Sequence, residues 1–395
     1  MAGWATQLRR AGADSAGMAS SRWFGAGHST AADSVKAGHE AAAAAVAGRG
    51  AAAVFVFCSG GHEPAAVLEA VRAEAGPEAV VVGGTGFGEL TPAGATRHGV
   101  AVGALGGDGF TVRARAADIA EVGPRAAGAA VAGVMAELDR PYTALLLLGD
   151  GTASAPNELV RGAYSVVGAT VPLVGGLTAD PRVFLGGEVR PGSVVGVALG
   201  SDAPIGIGIA HGWRRTEPAM IVTRSEGGRI HEFDGEPALD VLLRRCGVDG
   251  GADELFEGGV NLRPLGLSRR SGEDIRSLHA GDDEGRWVCG TVDIPQGALV
   301  WLMESERAEL VAGAGTAIEE ARAALGGAEP LGVLAFDCGG RKMQLGEDGT
   351  AEEVAAIRGA LGEAPFAGFY TMGEIARVRG AAGLHQLTLV TLALA

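Results

Sequence analysis

The feature that most constrains this chain is a pattern that occurs twice, once over residues 54–98 and again over residues 333–385. Each copy begins with an apolar run that ends at a cysteine closely followed by a glycine pair. A helical stretch comes next, then a segment of the form G-x-x-x-x-G-E-[LI], and finally a histidine in front of another apolar run. Segments that recur in the same order indicate an internal duplication, so each copy predicts the structure of the other.

A weaker copy over residues 144–199 keeps the apolar runs and the glycine pair but lacks the cysteine, the glutamate and the histidine. Apolar runs separated by a helical stretch are typical of an α/β or α+β chain. The alternation of Leu387, Leu389 and Thr391 indicates a half-buried antiparallel strand. We therefore predict an α/β (α+β) fold in which duplicated strand-helix-strand units form mixed, partly antiparallel sheets in two packed domains.

The length of the chain sets the expected domain organisation. Its 395 residues exceed what one hydrophobic core supports, because single cores stop growing at about 250–300 residues. We expect a first domain over residues 22–218 and a second over residues 219–395. Residues 1–21 are small and polar without periodicity, which predicts a disordered tail, or a segment upstream of a true start at Met18.

Charge and cysteine usage narrow the classes of partner. A net charge of −15 without a basic cluster disfavours nucleic acid and anionic membrane surfaces. The four cysteines are far apart and match neither a zinc-binding spacing nor a disulfide framework, which favours reduced thiols in the cytoplasm. No segment reaches the length of uninterrupted apolar sequence that a membrane-spanning helix needs. We expect a cytoplasmic protein that binds neither nucleic acid nor membrane.

Six blocks of sequence follow one another in a fixed order: VGGTGFGEL at 82–90, VGGLTAD at 174–180, HGW at 211–213, DGEPAL at 234–239, FDCGGR at 336–341 and GFYTMGEI at 368–375. Taken together, they resemble the FIST N-terminal and C-terminal domain pair. The resemblance implies a sensory module of bacterial signal transduction that binds a small ligand, such as an amino acid or a similar zwitterion, and passes the signal to a protein partner. Some members of the family bind haem and sense nitric oxide.

The second copy of the repeat supplies the predicted ligand pocket, because its polar residues fall at strand ends and loops. Arg341 would hold a ligand carboxylate, Glu374 an ammonium group, and Tyr370 would form a wall, with Cys338 and His385 beside them. The alternative is that Arg341 and Glu374 pair with each other and tie two loops together. Equivalent residues of the first copy would line a related pocket: Cys58, Thr85, Glu89 and His98.

Other functions use some of the same residues. Cys338, His385 and Glu374 could act as nucleophile, base and orienting group of an acyl-transfer or hydrolase enzyme. The motifs require no cofactor, but His211 or His231 would be the axial ligand if haem were bound. A scaffold protein without a ligand is the remaining alternative, and it predicts no convergent polar cluster.

Overall fold

The computed structural model describes residues 21–216, 218–257, 263–269, 272–377 and 383–395. In this part of the chain, three units follow one another with the same order of elements. The first unit contains one parallel strand pair joined by a helix, flanked by antiparallel strands. Its elements are β1 (Trp23–Ser29), α1 (Ser34–Val46), β2 (Ala51–Ser59), α2 (Pro64–Ala75), β3 (Val80–Gly86), β4 (Glu89–Thr91), β5 (Gly94–Ala95) and β6 (Val100–Gly106).

The second unit repeats this order and corresponds to the weaker sequence copy. A short 3-10 helix over Gly133–Glu137 follows its second α-helix. The elements are β7 (Phe110–Asp118), α3 (Ile119–Val122), α4 (Pro124–Ala132), β8 (Tyr142–Gly149), α5 (Pro156–Val167), β9 (Leu173–Leu177), β10 (Arg182–Leu185), β11 (Glu188–Pro191) and β12 (Ser193–Ser201).

The third unit begins at β13 (Ile205–Ala210) and is interrupted by an inserted sheet before it resumes. The insertion contains β14 (Arg214–Arg215), β15 (Met220–Glu226), β16 (Arg229–Phe233), β17 (Glu236–Pro237), α6 (Ala238–Cys246), α7 (Ala252–Leu255), β18 (Leu265–Arg269), β19 (Gly272–Arg276), β20 (Leu278–Gly281), β21 (Val288–Gly290) and β22 (Leu299–Glu304). The unit then continues with α8 (Arg307–Ala324), β23 (Gly332–Cys338), α9 (Gly339–Leu361), β24 (Phe366–Thr371), β25 (Gly373–Arg377), β26 (Gly383–His385) and β27 (Leu389–Leu394).

Each unit lends a hairpin to the sheet of another unit. The sheet of the first unit has the order β1-β6-β2-β3-β10-β11, so the hairpin β10-β11 of the second unit completes it. The sheet of the second unit, β7-β12-β8-β9, is completed by β25-β26 of the third. The sheet of the third unit, β13-β27-β23-β24, is completed by β4-β5 of the first. The three exchanges form a closed cycle.

The inner faces of these three sheets share one hydrophobic core. Three phenylalanines from two units meet at its centre: Phe57 stacks on Phe369 with ring centroids 4.4 Å apart, and Phe336 lies edge-on to Phe369 at 6.0 Å. Aromatic pairs in these geometries add to the free energy gained from burial. The outer face of each sheet is covered by helices, α1 and α2 on the first, α4 and α5 on the second, and α8 and α9 on the third.

Glycines allow the first strand of a unit to lie directly against its helix. A Cβ atom at Gly27 of β1 would stand 1.9 Å from the Ala41 carbonyl oxygen of α1. At the equivalent place in the third unit, a Cβ at Gly208 would stand 1.9 Å from the Ala317 carbonyl oxygen of α8. Only a residue without a side chain fits such an approach, which accounts for part of the high glycine content.

The predicted α/β fold with mixed sheets is confirmed. The weak middle copy forms a complete unit, because its apolar runs and glycine pair suffice to build the sheet without the cysteine, glutamate and histidine. The proposed division at residue 218 stays a prediction. Three of the four sheets in the described residues combine strands from both sides of residue 218. Of the predicted N-terminal tail, residues 1–20 lie outside the described residues.

Candidate functional site

Arg341 lies at the start of α9, and its guanidinium group is fully buried. It donates from Nε to Asp337 Oδ1 at 2.8 Å and from NH2 to Glu353 Oε1 at 2.6 Å. Two further donors reach the carbonyl oxygens of His211 and Leu310, at 2.7 and 3.1 Å. Burial alone would lower the pKa of Arg341, but the two carboxyl groups raise it above its ordinary value. The group therefore ties β23, α9, α8 and the segment after β13 together.

Tyr370 belongs to the same buried network. Its hydroxyl donates to Glu353 Oε2 at 3.1 Å, and Lys342 Nζ lies 4.6 Å from the centre of its ring. Burial, with Asp337 nearby, raises the pKa of Glu353 well above its ordinary value. A protonated Glu353 lowers the negative charge that this water-excluded cluster must hold.

Glu374 belongs to a second network. Its Oε1 lies 2.7 Å from Thr371 Oγ1, and its Oε2 accepts from the amide and the hydroxyl of Thr388 at 3.1 and 2.9 Å. Burial raises the pKa of Glu374 to about 8. Among the described residues, Arg341 and Glu374 do not pair with each other, and the single cavity expected between them stays a prediction. Glu374 and Arg341 satisfy different partners, so the roles predicted for them toward a ligand stay predictions.

The contacts of the three residues in the acyl-transfer hypothesis do not favour an activated nucleophile, and their catalytic roles stay a prediction. Burial, together with Glu374, raises the pKa of the Cys338 thiol well above its ordinary value, so the sulfur is held protonated. His385 Nε2 lies 2.8 Å from the Ala376 carbonyl oxygen and therefore carries a proton that it donates there. The Glu374 carboxyl group is occupied by threonines, as described above. A nucleophile needs a base in hydrogen-bond reach, and these contacts direct the His385 Nε2 atom elsewhere.

Cysteine labelling tests this reading of the thiols. Cys58 and Cys338 are buried, with 1% and 6% of their surface exposed, whereas Cys246 and Cys289 are partly exposed. We expect iodoacetamide at neutral pH to alkylate Cys246 and Cys289 in the folded protein and to reach Cys58 and Cys338 only in denaturant, because alkylation needs an accessible thiolate. Peptide mass spectrometry over a time course measures this. Selective early labelling of Cys338 would instead favour the enzyme hypothesis.

The site residues predicted from the first copy each contact a different partner. Thr85 donates to Asp180 of the second unit. Glu89 accepts from Thr96, and burial raises its pKa to about 7. His98 is exposed, and its Nδ1 lies 2.6 Å from the Gly60 carbonyl oxygen. Burial also raises the pKa of Cys58 to about 12. A shared first-copy pocket lined by these side chains therefore stays a prediction.

A cavity of about 540 Å³ lies where the third unit meets the inserted sheet, and we call it the His211 cavity. Two of the predicted site residues line it, His211 from the segment after β13 and His385 at the end of β26. Its wall carries four carboxyl groups, and no arginine or lysine stands among the described lining residues. The other lining residues are Ile209, Ala210, Gly212, Glu273, Asp274, Glu309, Ala312, Gly313, Thr316, Glu320 and Thr388.

His385 and Asp274 place two hydrogen-bond acceptors close together on this wall. Because His385 Nε2 donates to a carbonyl, its Nδ1 is an acceptor when the ring is neutral, and burial lowers the pKa of His385. That Nδ1 lies 4.0 Å from Asp274 Oδ1. A donor with several N–H groups, such as an ammonium, can bond to both atoms.

His211 carries a hydrogen-bond donor, whereas His385 and Asp274 carry acceptors. Its Nδ1 accepts from the Trp213 amide at 2.9 Å, so the neutral ring carries its proton on Nε2. Burial, with Arg341 nearby, lowers the pKa of His211 to about 4, which keeps the ring neutral. A haem ligand needs a nitrogen whose lone pair is available; on this ring the Nδ1 lone pair accepts from the Trp213 amide and Nε2 carries the proton, so the residue does not fit that role. His231 lies on β16, and none of the cavities described here is lined by it.

Sequence reasoning missed Asp274, Glu353 and Thr388. Asp274 and Thr388 stand outside the repeated motifs, and Glu353 is one of many glutamates on predicted helices. The one available signal was the closeness in sequence of Asp337, an acidic residue at the end of a predicted strand, and Arg341, a basic residue just after the glycine pair that follows it. It would have indicated that Arg341 already has a partner.

Comparison with known proteins defines the class first: most of the chain matches models of sensory domains of signal transduction. Residues 52–236 match the FIST N domain and residues 238–377 match the FIST C domain. The chain belongs to the FIST family, and the resemblance seen in its sequence blocks is confirmed.

The similar proteins are uncharacterised. One from Mycobacterium tuberculosis is 29% identical over 256 residues, which covers 62% of this chain and 66% of that protein. One from Mycobacterium bovis is 28% identical over 260 residues, covering 62% and 65%. The chain thus spans about two thirds of the length of these relatives.

Among solved structures, a cyanuric acid hydrolase from A. caulinodans matches 95% of this chain and 99% of its own, with a TM-score of 0.40 and 10% identity. A second cyanuric acid hydrolase matches with a TM-score of 0.36 and 11% identity, covering 95% and 100%. Similarity at this level does not bear on function. In the described part of the chain, no helix is both long and apolar enough to cross a membrane.

Proposed function

We propose that this protein is a cytoplasmic sensor that binds an amine-bearing small molecule, an amino acid or a similar zwitterion, in the His211 cavity and signals through a protein partner. The observation that carries the proposal is the pair of acceptors, His385 Nδ1 and Asp274 Oδ1, 4.0 Å apart on the wall of an acid-rich cavity. An ammonium group between them would bond to both atoms and gain a charge-assisted hydrogen bond to the carboxylate.

The charge of the wall supports a cationic group. Glu273, Glu309 and Glu320 add three carboxyl groups to that of Asp274, while both histidines are kept neutral. Arginines outside the lining pair with three of these carboxyl groups, Arg215 with Glu273, Arg214 with Glu309 and Arg276 with Asp274, so a ligand cation would share them. Attraction to a positive charge inside a cavity is stronger than on an open surface, because less water screens it. The proton on His211 Nε2 would supply a neutral donor for the carboxylate of a zwitterion, which explains why an amino acid fits better than a simple amine.

The position of the cavity supports a sensory role. Its lining comes from three assemblies: α8 and the end of β13 in the third unit, β19 in the inserted sheet, and β26, which completes the sheet of the second unit. A ligand that contacts all three would change their relative stability, and such a differential interaction is what a ligand needs to shift a conformational equilibrium. The protein partner would read that shift.

A set of matched ligands tests the proposal. A thermal-shift screen over the amino acids should give at least one compound that raises the melting temperature, since a ligand that binds only the folded state stabilises it. The hit is then compared with its decarboxylated amine and its deaminated acid. We expect the amine to retain part of the effect and the acid to lose it. Retention by the acid with loss by the amine would contradict the proposal.

Asp274→Asn should weaken binding of the hit by about tenfold or more, because a hydrogen bond to a charged group is worth about 1.5–3 kcal/mol. The asparagine keeps the shape of the side chain and removes its charge, which is also the counterion of the buried Arg276, so the fold of the variant must be checked first. Isothermal titration measures the change in affinity, and circular dichroism checks the fold. An unchanged affinity in a folded Asp274→Asn protein would rule out the His385–Asp274 site.

Two neighbouring glutamates on α8 provide a matched control. Glu320 lines the cavity, and Glu319 is exposed on the same helix and is not part of the lining. Glu320→Gln keeps an acceptor for the Ile209 amide, with which Glu320 Oε2 forms a bond of 3.1 Å. We expect Glu320→Gln to weaken binding about twofold to fivefold and Glu319→Gln to leave it unchanged, as the modest energies of exposed charges imply.

A further inference from the structure

A second cavity, of about 360 Å³, lies between α5 of the second unit and the inserted sheet. No predicted site residue lines it. Its walls come from α5, the end of β15, β19, the loop after β21 and β26. The lining residues are Asn157, Val160, Arg161, Ser225, Gly227, Arg276, Val292, Asp293, Ile294, Pro295, Gln296 and Leu384. We call it the Arg276 cavity.

The charge of this lining is opposite to that of the His211 cavity. Two arginines, Arg161 and Arg276, face one carboxyl group, Asp293, and the amides of Asn157 and Gln296 add neutral donors. The guanidinium of Arg276 is almost fully buried, with 5% of its side chain exposed, so its charge is poorly screened by water. Guanidinium groups match carboxylate and phosphate oxygens in pairs, and amide N–H groups complete such a site.

We propose that the Arg276 cavity is a second binding site, which takes a small oxyanion, a carboxylate or a phosphate. Arg276 holds the anion from the inner wall, and Arg161 holds it from the α5 side. Asp293 limits the charge that the site accepts, because a second or third negative charge on the ligand would face this carboxylate.

An ion pair connects the two cavities. Arg276 NH2 lies 3.3 Å from Asp274 Oδ2, and both side chains are buried on β19. Arg276 lines one cavity and Asp274 lines the other. An anion that binds Arg276 competes with Asp274 for the guanidinium and leaves more of the Asp274 charge for an ammonium on the other side. The two ligands therefore strengthen each other's binding, a step that rests on the proposed function of the His211 cavity.

Arg125 offers a matched control for Arg161. Both arginines pair with Glu158, Arg125 NH1 at 3.1 Å from Oε2 and Arg161 NH1 at 2.5 Å from Oε1. Their side chains are 63% and 58% exposed, so the two ion pairs are similar. Only Arg161 lines the cavity. Replacing either residue removes the same kind of surface ion pair, and a difference between the two variants reports on the cavity.

The test is a titration of the full chain with inorganic phosphate and with acetate, each against sodium chloride at equal ionic strength. No amine ligand is present, so the outcome does not depend on the His211 cavity. We expect saturable binding of one of the two anions, about fivefold or more weaker in Arg161→Gln and unchanged in Arg125→Gln. Which anion binds identifies the oxyanion class. Asn157→Leu, which removes a neutral donor, should weaken the same binding.

Equal loss in Arg161→Gln and Arg125→Gln would overturn the proposal, as would the absence of saturable binding of both anions. Arg276 is left intact in this experiment because its removal leaves Asp274 buried without its counterion. The connection between the cavities is measured separately, by titrating the amine ligand with and without the saturating anion. An affinity increase supports the connection, and an unchanged affinity contradicts it without affecting the anion site.

Discussion

Replacing Arg341 with methionine is expected to lower the free energy of unfolding by about 3–5 kcal/mol, because it leaves buried carboxyl groups without their counterion. The methionine fills a similar volume and donates no hydrogen bond. Asp337 and Glu353 lose a charged partner, and the carbonyl oxygens of His211 and Leu310 lose a donor. Urea unfolding followed by circular dichroism measures the change, and an insoluble or unfolded product is the extreme form of the same result.

Two further variants make this prediction specific. The double variant Asp337→Asn with Arg341→Met removes the uncompensated charge and should recover part of the lost stability. Arg307→Met is the surface control, since Arg307 is half-exposed and its contact with Glu352 is 3.5 Å long. It should cost less than about 1 kcal/mol. If Arg341→Met is as stable as the wild type and loses only its response to ligand, the role predicted from the sequence is the correct one.

Glu374→Gln is expected to stabilise the protein increasingly as the pH rises. Thr371 Oγ1 lies 3.0 Å from the Asp337 carbonyl oxygen and 2.7 Å from Glu374 Oε1, and its single proton can serve only one of them. When that proton goes to the carbonyl, Glu374 must supply its own proton to Thr371. The donors and acceptors of this network therefore all find partners when the side chain at position 374 is neutral. Glutamine is neutral at every pH.

The direction of the pH dependence follows from proton binding. The pKa of Glu374 is raised to about 8 in the folded protein, so the folded state holds this proton over a pH range in which the unfolded state has released it. The stability contributed by the protonated group is complete below the unfolded pKa of about 4.3 and is lost as the pH rises toward 8. Between pH 5 and pH 8 the difference between Glu374→Gln and the wild type should grow by about 3 kcal/mol.

Chemical denaturation of both proteins at pH 5, 6, 7 and 8 measures this difference. Glu352→Gln is the control, since Glu352 is half-exposed and should show no such trend. Glu89 is also buried with its pKa raised, to about 7, and adds its own pH dependence to the wild type and to both variants alike. A constant difference between Glu374→Gln and the wild type would show that Glu374 is ionised throughout this range.

Much of the fold could be predicted from the sequence, because its signals are local. A strand and the following turn were indicated by the apolar run before Cys58 and the glycines after it. The recurrence of this pattern at Cys338 indicated the repeat. The middle copy was also visible, although it lacked the polar residues, because sheets are specified by apolar runs and close approaches rather than by a motif. The hairpin exchange was not predictable, since strand pairing over such distances leaves no pattern in a single segment.

The site was predictable only in part, for a physical reason. An arginine buried in an ion pair and an arginine that binds a ligand can have the same neighbours in sequence. Arg341 was assigned to a ligand because the sequence does not show that Glu353 approaches it. His211 and His385 were named for haem and for catalysis, and the structure brings both to one cavity wall. Asp274, which gives that wall its chemistry, comes from an insertion that no repeat copy resembles.

The cyclic exchange of hairpins also orders events during synthesis. The strand β4 is made with the first unit, yet its partner β24 is made only with the third, where Glu89 lies opposite Phe369. Until then the β4-β5 hairpin has no sheet edge to join, because β24 emerges only after the first two units have been made. Contacts between such distant segments form late and slowly. The third unit therefore closes the assembly, and a nascent chain that stops short of β25 keeps an open sheet edge in the second unit.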